Sequence, residues 1–156
     1  MKIRPLLALA SLSLISLVHA EAPVEVSGAT FVTIEQAKQL FDEGAVFIDV
    51  RDRDAWKTGH IDGALNLDLE ADEFSVLSLS KDLDRSTPIV FYTSSPLTVN
   101  GAVASYVASQ WGYSHVYYFR DGYYAWLGQD YPAELPLGGR LGQGSSSLSG
   151  DMVVTR

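Results

Sequence analysis

From Ala45 to Val50 the chain reads Ala-Val-Phe-Ile-Asp-Val, a short and nearly unbroken apolar run between Gly44 and Arg51. A run of that length predicts a strand buried on both faces. Pro88–Tyr92 and Val116–Phe119 repeat the pattern. Between these runs the period changes. Ile34, Ala37, Leu40 and Phe41 recur at helical spacing, Thr33 and Gln36 form a capping box ahead of them, and Gly44 is placed to end the helix. Ala102, Val103, Tyr106, Val107 and Trp111 mark another helix, closed by Gly112. Weaker signals fill the rest. Asp54–Lys57 reads as one helical turn, Ala64–Leu67 as a short strand, and about Ala71 to Leu79 as a helix. Asp121-Gly122 reads as a turn, with Tyr123–Leu127 a short helix after it. Strands alternating with helices predict an α/β fold, a three-layer, doubly wound parallel sheet with helices on both faces. No internal repeat is visible.

The ends differ from the middle. Lys2 and Arg4 precede an apolar run from Leu6 to Val18, and Val18-His19-Ala20 suits cleavage before Glu21. Residues 1–20 are therefore expected to be a signal peptide, and the protein periplasmic or secreted. The run is short and broken by Ser11, Ser13 and Ser16, so no membrane span is expected after cleavage. Residues 21–29 form an N-terminal lead-in, and 30–136 the domain. From Leu137 to Arg156 glycine and serine dominate, and a flexible tail is expected.

Composition narrows the chemistry. Loss of Lys2 and Arg4 takes the net charge from −8 to −10. So acidic a domain is a poor ligand for nucleic acid or anionic membranes. The chain has no cysteine, which excludes disulfides, thiolate nucleophiles and thiolate metal sites. After residue 20 only His60 and His115 remain, far apart and without metal-ligand spacing. Neither a metal nor a cofactor is expected.

Ile48-Asp49-Val50-Arg51, then Trp56, then Gly59-His60-Ile61-Asp62-Gly63-Ala64 and Asn66 resemble the first signature of the rhodanese superfamily. Phe119-Arg120-Asp121-Gly122-Tyr123-Tyr124-Ala125-Trp126 resembles its closing signature, in which a Gly and a Trp follow the last core strand. The resemblance covers about residues 30 to 133. It implies a rhodanese fold and, by family habit, sulfur transfer through one cysteine. In this reading Asp49 and Arg51 pair or bind loop amides, His60 hydrogen-bonds backbone in a turn, and Trp126 packs in the core.

The departures lie where the chemistry should be. The family's central strand ends in Cys, followed by two residues, a Gly, one residue and an Arg. Here the stretch reads Thr93-Ser94-Ser95-Pro96-Leu97-Thr98. Thr93 replaces the nucleophile, Pro96 removes one backbone N–H from any anion cradle, and Thr98 replaces the Arg. Val99 stands where related phosphatases place theirs, and no Lys or Arg lies between Ser86 and Arg120. The expectation is a domain without sulfurtransferase activity that binds a protein partner or a small anion, the anion held by Thr93, Ser94, Ser95, Leu97 and Thr98. Two alternatives stay open: a hydrolase or transferase using a hydroxyl of Thr93, Ser94 or Ser95, and a sulfurtransferase by family name only. The bland reading of the same loop is a polar turn capping the helix near Asn100. Tyr123 and Tyr124 cannot both face inward easily, and an exposed pair would suit a protein interface.

Overall fold

The computed structural model describes residues 21–142 apart from 72, 73 and 82. The expected signal peptide, residues 1–20, and the tail from 143 onward lie outside the described residues.

Five parallel strands form the main sheet. They are β1 (Thr30–Phe31), β2 (Val46–Asp49), β4 (Leu65–Asn66), β5 (Ile89–Tyr92) and β6 (Val116–Phe119), in the order β1-β6-β5-β2-β4. β5 lies at the centre and all four of its residues are buried. Its register with β2 pairs Ile48 with Phe91, and with β6 pairs Phe91 with Tyr118. Strand side chains alternate in direction, so the unbroken apolar runs serve two cores at once. Phe47, Val90, Tyr92 and Phe119 face one core; Ile48, Ile89, Phe91 and Val116 face the other.

Helices cover both faces, as the alternation predicts. α1 (Ile34–Asp42) and α5 (Gly122–Gly128) pack on the first core through Ala37, Tyr123 and Trp126. α3 (Val76–Ser80) and α4 (Asn100–Gln110) pack on the second through Leu79, Ala104 and Ala108. The capping box on α1 is present: the Gln36 amide donates to Thr33 Oγ1, and the Thr33 amide donates to Gln36 Oε1. Trp126 is fully buried, its ring edge-on to Phe41, Phe119 and Tyr131, and its Nε1 donates to the Pro132 carbonyl over 2.8 Å.

Several expectations need correction. β3 (His60–Ile61), β7 (Ala133–Glu134) and β8 (Arg140–Leu141) form a second, antiparallel sheet that two-residue strands could not announce. His60 is thus in a strand rather than a turn. The segment from 137 does not begin as a loose tail, since a 3₁₀ turn (Pro136–Gly138) and β8 continue the fold through Leu141. The helix expected from Ala71 begins at Val76, where the Ser75 hydroxyl accepts from the Ser78 amide and sets the start. The single turn expected at Asp54 is α2 (Arg53–Lys57), capped by Asp52. The lead-in is packed: Ala22 is buried, its amide donates to Pro96 O over 2.7 Å, and its carbonyl accepts from Arg120 Nε over 2.8 Å. No helix among the described residues is long and apolar enough to cross a membrane.

Candidate functional site

In an open parallel sheet, ligands sit beyond the C-terminal ends of the strands where the chain switches direction. Here the switch lies between β2 and β5. A cleft of about 190 Å³ opens there. β2 leads into Arg51, Asp52 and Ala55; β5 leads into Thr93, Ser94 and Thr98; Asp68 and Glu70 follow β4, and Asn100 begins α4. Of the residues singled out in the sequence, Thr93, Ser94, Thr98 and Arg51 line this cleft. Ser95 and Leu97 do not, and Leu97 points outward with 64 % of its surface exposed. Neither Asp49 nor His60 lines it.

The loop after β5 is closed on itself. The Thr98 hydroxyl donates to Ser95 O over 3.2 Å, which leaves the Thr93 hydroxyl to donate to Thr98 Oγ1 over 2.9 Å. The Thr98 amide also goes to Ser95 O, and the Leu97 amide to Ser95 Oγ. Pro96 has no N–H to offer. Much of the cradle expected from the resemblance is therefore spent within the loop. Thr93 is buried, with 2 % of its surface exposed. Among the described residues no imidazole or carboxylate hydrogen-bonds a hydroxyl of Thr93, Ser94 or Ser95. The expectation that this loop caps α4 also fails: Val99 is the cap position and no side chain bonds there.

α5 holds the loop from behind. The Tyr123 amide donates to Thr93 O over 2.8 Å and the Tyr124 amide to Ser94 O over 3.1 Å. The free N–H groups of the first helical turn thus find acceptors in the loop. Gly122 makes the approach possible, because a Cβ at that position would sit 2.4 Å from Thr93 O.

Asp49 and Arg51 form a buried pair. Arg51 Nε donates to Asp49 Oδ1 over 2.9 Å, Arg51 Nη2 donates to Gly59 O over 2.8 Å, and the Arg51 amide donates to Asp49 Oδ1 over 3.0 Å. The guanidinium lies 4.4 Å from the centre of the Tyr123 ring. Burial works against its charge, but the hydrogen bonds and charge of Asp49 outweigh it and hold the Arg51 pKa above its usual value. The arginine that lines the cleft is thus committed elsewhere. Asn66 Nδ2 ties down the backbone on either side, donating to Asp49 O and Arg51 O. Tyr92, buried next to Asp49, accepts from the Ile61 amide through its hydroxyl, and burial followed by the Asp49 charge pushes its pKa far up.

His60 is held away from the cleft. Its Nδ1 is 3.0 Å from Trp56 O, so that nitrogen carries the proton, and its ring stacks on Trp56 at 4.0 Å. Nε2 lies 3.7 Å from Glu134. Among the described residues no group of three or more His, Asp or Glu side chains could hold a metal.

Sequence reasoning missed Asp52, Asp68, Glu70 and Asn100. Asp52 caps α2, Asp68 accepts from the Glu70 amide, and Glu70 Oε1 accepts from Asn100 Nδ2. The only signal was position, acidic residues shortly after two predicted strands. Among the described residues, three carboxylates and one neutralised arginine line the cleft and make it acidic.

The rhodanese-like domain family matches residues 33–129. The chain belongs to the rhodanese-like family. It is 37 % identical over 109 residues to the thiosulfate sulfurtransferase GlpE of Pseudomonas entomophila, covering 69 % of this chain and 92 % of that protein. It is 38 % identical over 107 residues to the protein of the same name from Pseudomonas putida strain F1, covering 67 % of this chain and 89 % of that one. Among solved structures it resembles the Alr3790 protein of Anabaena sp., with a TM-score of 0.59 and 26 % identity over 68 % of this chain and 81 % of that one. The human single-domain sulfurtransferase TSTD1 shares the fold, with a TM-score of 0.53 at 24 % identity over 65 % of this chain and 97 % of that one.

Proposed function

We propose that this chain is an exported rhodanese-like domain without sulfurtransferase activity that serves as a protein-binding module. One observation carries the reading. In a cysteine-free chain, the residue that follows the central strand at the cleft is Thr93, and its hydroxyl is hydrogen-bonded to that of Thr98. Sulfur transfer of the kind named for the relatives needs a thiolate to accept and hold the sulfur. A threonine hydroxyl titrates far above neutral and holds no transferable sulfur. A hydroxyl-based enzyme needs a base to take the Thr93 proton, and Thr98 is no such base.

The cleft also disfavours the small anion. Asp52, Asp68 and Glu70 line it, and Arg51 is neutralised by Asp49. An entering sulfate or thiosulfate meets like charge at short range. Export rests on the amino-terminal pattern of Lys2 and Arg4 ahead of the Leu6–Val18 apolar run.

The test is thiosulfate-to-cyanide sulfur transfer by the native chain and by Thr93→Cys, each checked for folding. Neither is expected to exceed background. Turnover by the native chain overturns the reading. Turnover gained by Thr93→Cys makes an anion the favoured ligand in place of a protein.

A further inference from the structure

From Ser86 to Phe119 there is no Asp, Glu, Lys or Arg, although such residues make up 19 % of the chain. α4 lies within this stretch. Its inner side packs Ala104 and Ala108 against the sheet. Its outer side shows Val99, Val103 and Tyr106, exposed by 49 %, 43 % and 47 %. These three are spaced to form one stripe. A surface helix normally turns charged or polar groups to water, so an apolar outer stripe is the pattern that an interaction surface presents. Between it and Pro23, Val26 and the neighbouring lead-in residues lies an open groove of about 400 Å³.

The groove and the acidic cleft adjoin. Val99 lines the groove, while its neighbours Thr98 and Asn100 line the cleft, and Asn100 is hydrogen-bonded to Glu70. The cleft is smaller than the roughly 300–1,000 Å³ of typical small-molecule sites, a size suited to one long side chain. Charge then selects the occupant. A second copy of this acidic chain brings like charge, and so does any nucleic acid or anionic membrane.

We infer that this continuous surface docks a basic, partly apolar polypeptide segment of a protein partner. Aliphatic side chains lie along Val99, Val103 and Tyr106, and a Lys or Arg enters the cleft beside Asp52, Asp68 and Glu70. The inference rests on the protein-binding reading proposed above; it places that binding on this surface and names the partner's chemistry.

The test is titration of the isotope-labelled protein, read by amide chemical shifts, with three short synthetic peptides of Val with Lys, Val with Glu, and Ser with Lys. The Val–Lys peptide is expected to bind at least about tenfold more tightly than the other two. It should shift the amides of residues 97–106 together with those of Asp52, Asp68 and Glu70, and weaken with added salt. Val103→Asp and the exposed Glu70→Gln should each weaken it by about tenfold. Equal affinity for all three peptides, no binding by any, or shifts confined to other regions overturns the inference. So does line broadening at 97–106 that grows with protein concentration alone, which assigns the surface to a second copy. Sulfur transfer by the native chain would sink the silent-domain reading separately, whatever the peptides do.

Discussion

The backbone amide of Tyr123 donates to the carbonyl oxygen of Thr93 across 2.8 Å. The closing signature of the family is thereby given a local reason. Gly122 leaves room for the loop backbone, α5 turns its first free N–H groups onto that loop, and Trp126 three residues further on anchors the helix in the core. The loop is fixed by its own backbone, whatever side chain stands at its first position.

Gly122→Ala should therefore be far more harmful than an alanine at another left-handed glycine. Gly122 has φ 73° and Gly44 has φ 85°. Both substitutions carry the left-handed penalty of about 1–2 kcal/mol. Nothing lies within 4 Å of a Cβ at Gly44, whereas one at Gly122 meets Thr93 O and Ser94. Gly122→Ala should lose about 1–3 kcal/mol more than Gly44→Ala. Urea unfolding of the two variants measures the difference, and equal losses would refute the contact.

Asp49 and Arg51 should behave as one unit. Removing either leaves a buried charge unpaired, at about 3–5 kcal/mol. Asp49→Ala combined with Arg51→Met should cost clearly less than the sum of the two single changes, with a coupling of about 1–3 kcal/mol. A double-mutant cycle in denaturant reads this directly, and additive losses would mean the pair is not a pair.

Stability should fall in strong alkali because of Tyr92. Its folded pKa is raised well above 10.0 by burial first and Asp49 second. The native state thus holds a proton that the unfolded chain gives up near pH 10. The contribution is complete below that pH and is lost as pH rises from 10 towards the folded value. The slope for one such group is about 1.4 kcal/mol per pH unit. Tyr113, Tyr118 and Tyr123 are raised in the same direction, each chiefly by burial. Denaturant titrations from pH 8 to pH 11 should show the decline. Tyr92→Phe should make it shallower, the remaining slope coming from the other three tyrosines, while losing about 1 kcal/mol at neutral pH because the Ile61 amide no longer has this acceptor.

Arg120 should matter for the lead-in more than for the core. It donates to Ala22 O and pairs with Glu21, while the Ala22 amide is bonded to Pro96 O. Arg120→Met should speed hydrogen exchange at Ala22 by about tenfold or more, with exchange in β5 unchanged. Unaltered exchange at Ala22 would show that Pro96 alone holds the segment.

What was legible in the sequence was what periodicity and capping report. β2, β5 and β6 are apolar runs because both faces of each are buried, and α1 announced itself through Thr33 and Gln36. The strands β1, β3, β7 and β8 were invisible, since two residues carry no period. At the site, the loss of Cys and Arg could be read from residue types alone. The Asp49–Arg51 pair was one of two open readings, because strand-end residues two apart can meet or bind amides instead. The closed hydroxyl chain from Thr93 through Thr98 to Ser95 could not be read, since it depends on the fold of a loop around Pro96. The acidity of the cleft was hidden for a different reason. Asp52, Asp68 and Glu70 follow two different strands, and only the parallel pairing of β4 beside β2 brings their loops to one end of the sheet. The tyrosine pair divided as its geometry required: Tyr123 is buried and Tyr124 is 62 % exposed.

The pairing of Thr30 with Tyr117 in adjacent strands has a consequence for the order of assembly. β1 is the most N-terminal of the described strands, and among the described residues its only neighbour in the sheet is β6. Until β6 is in place, β1 lacks that partner, and closing so long a loop loses chain entropy before any contact offsets it. The strand is only two residues long, too short to recruit a foreign edge while it waits. The sheet should therefore grow outward from β5 with β2 and β6, and β1 should be the late arrival that shuts its edge.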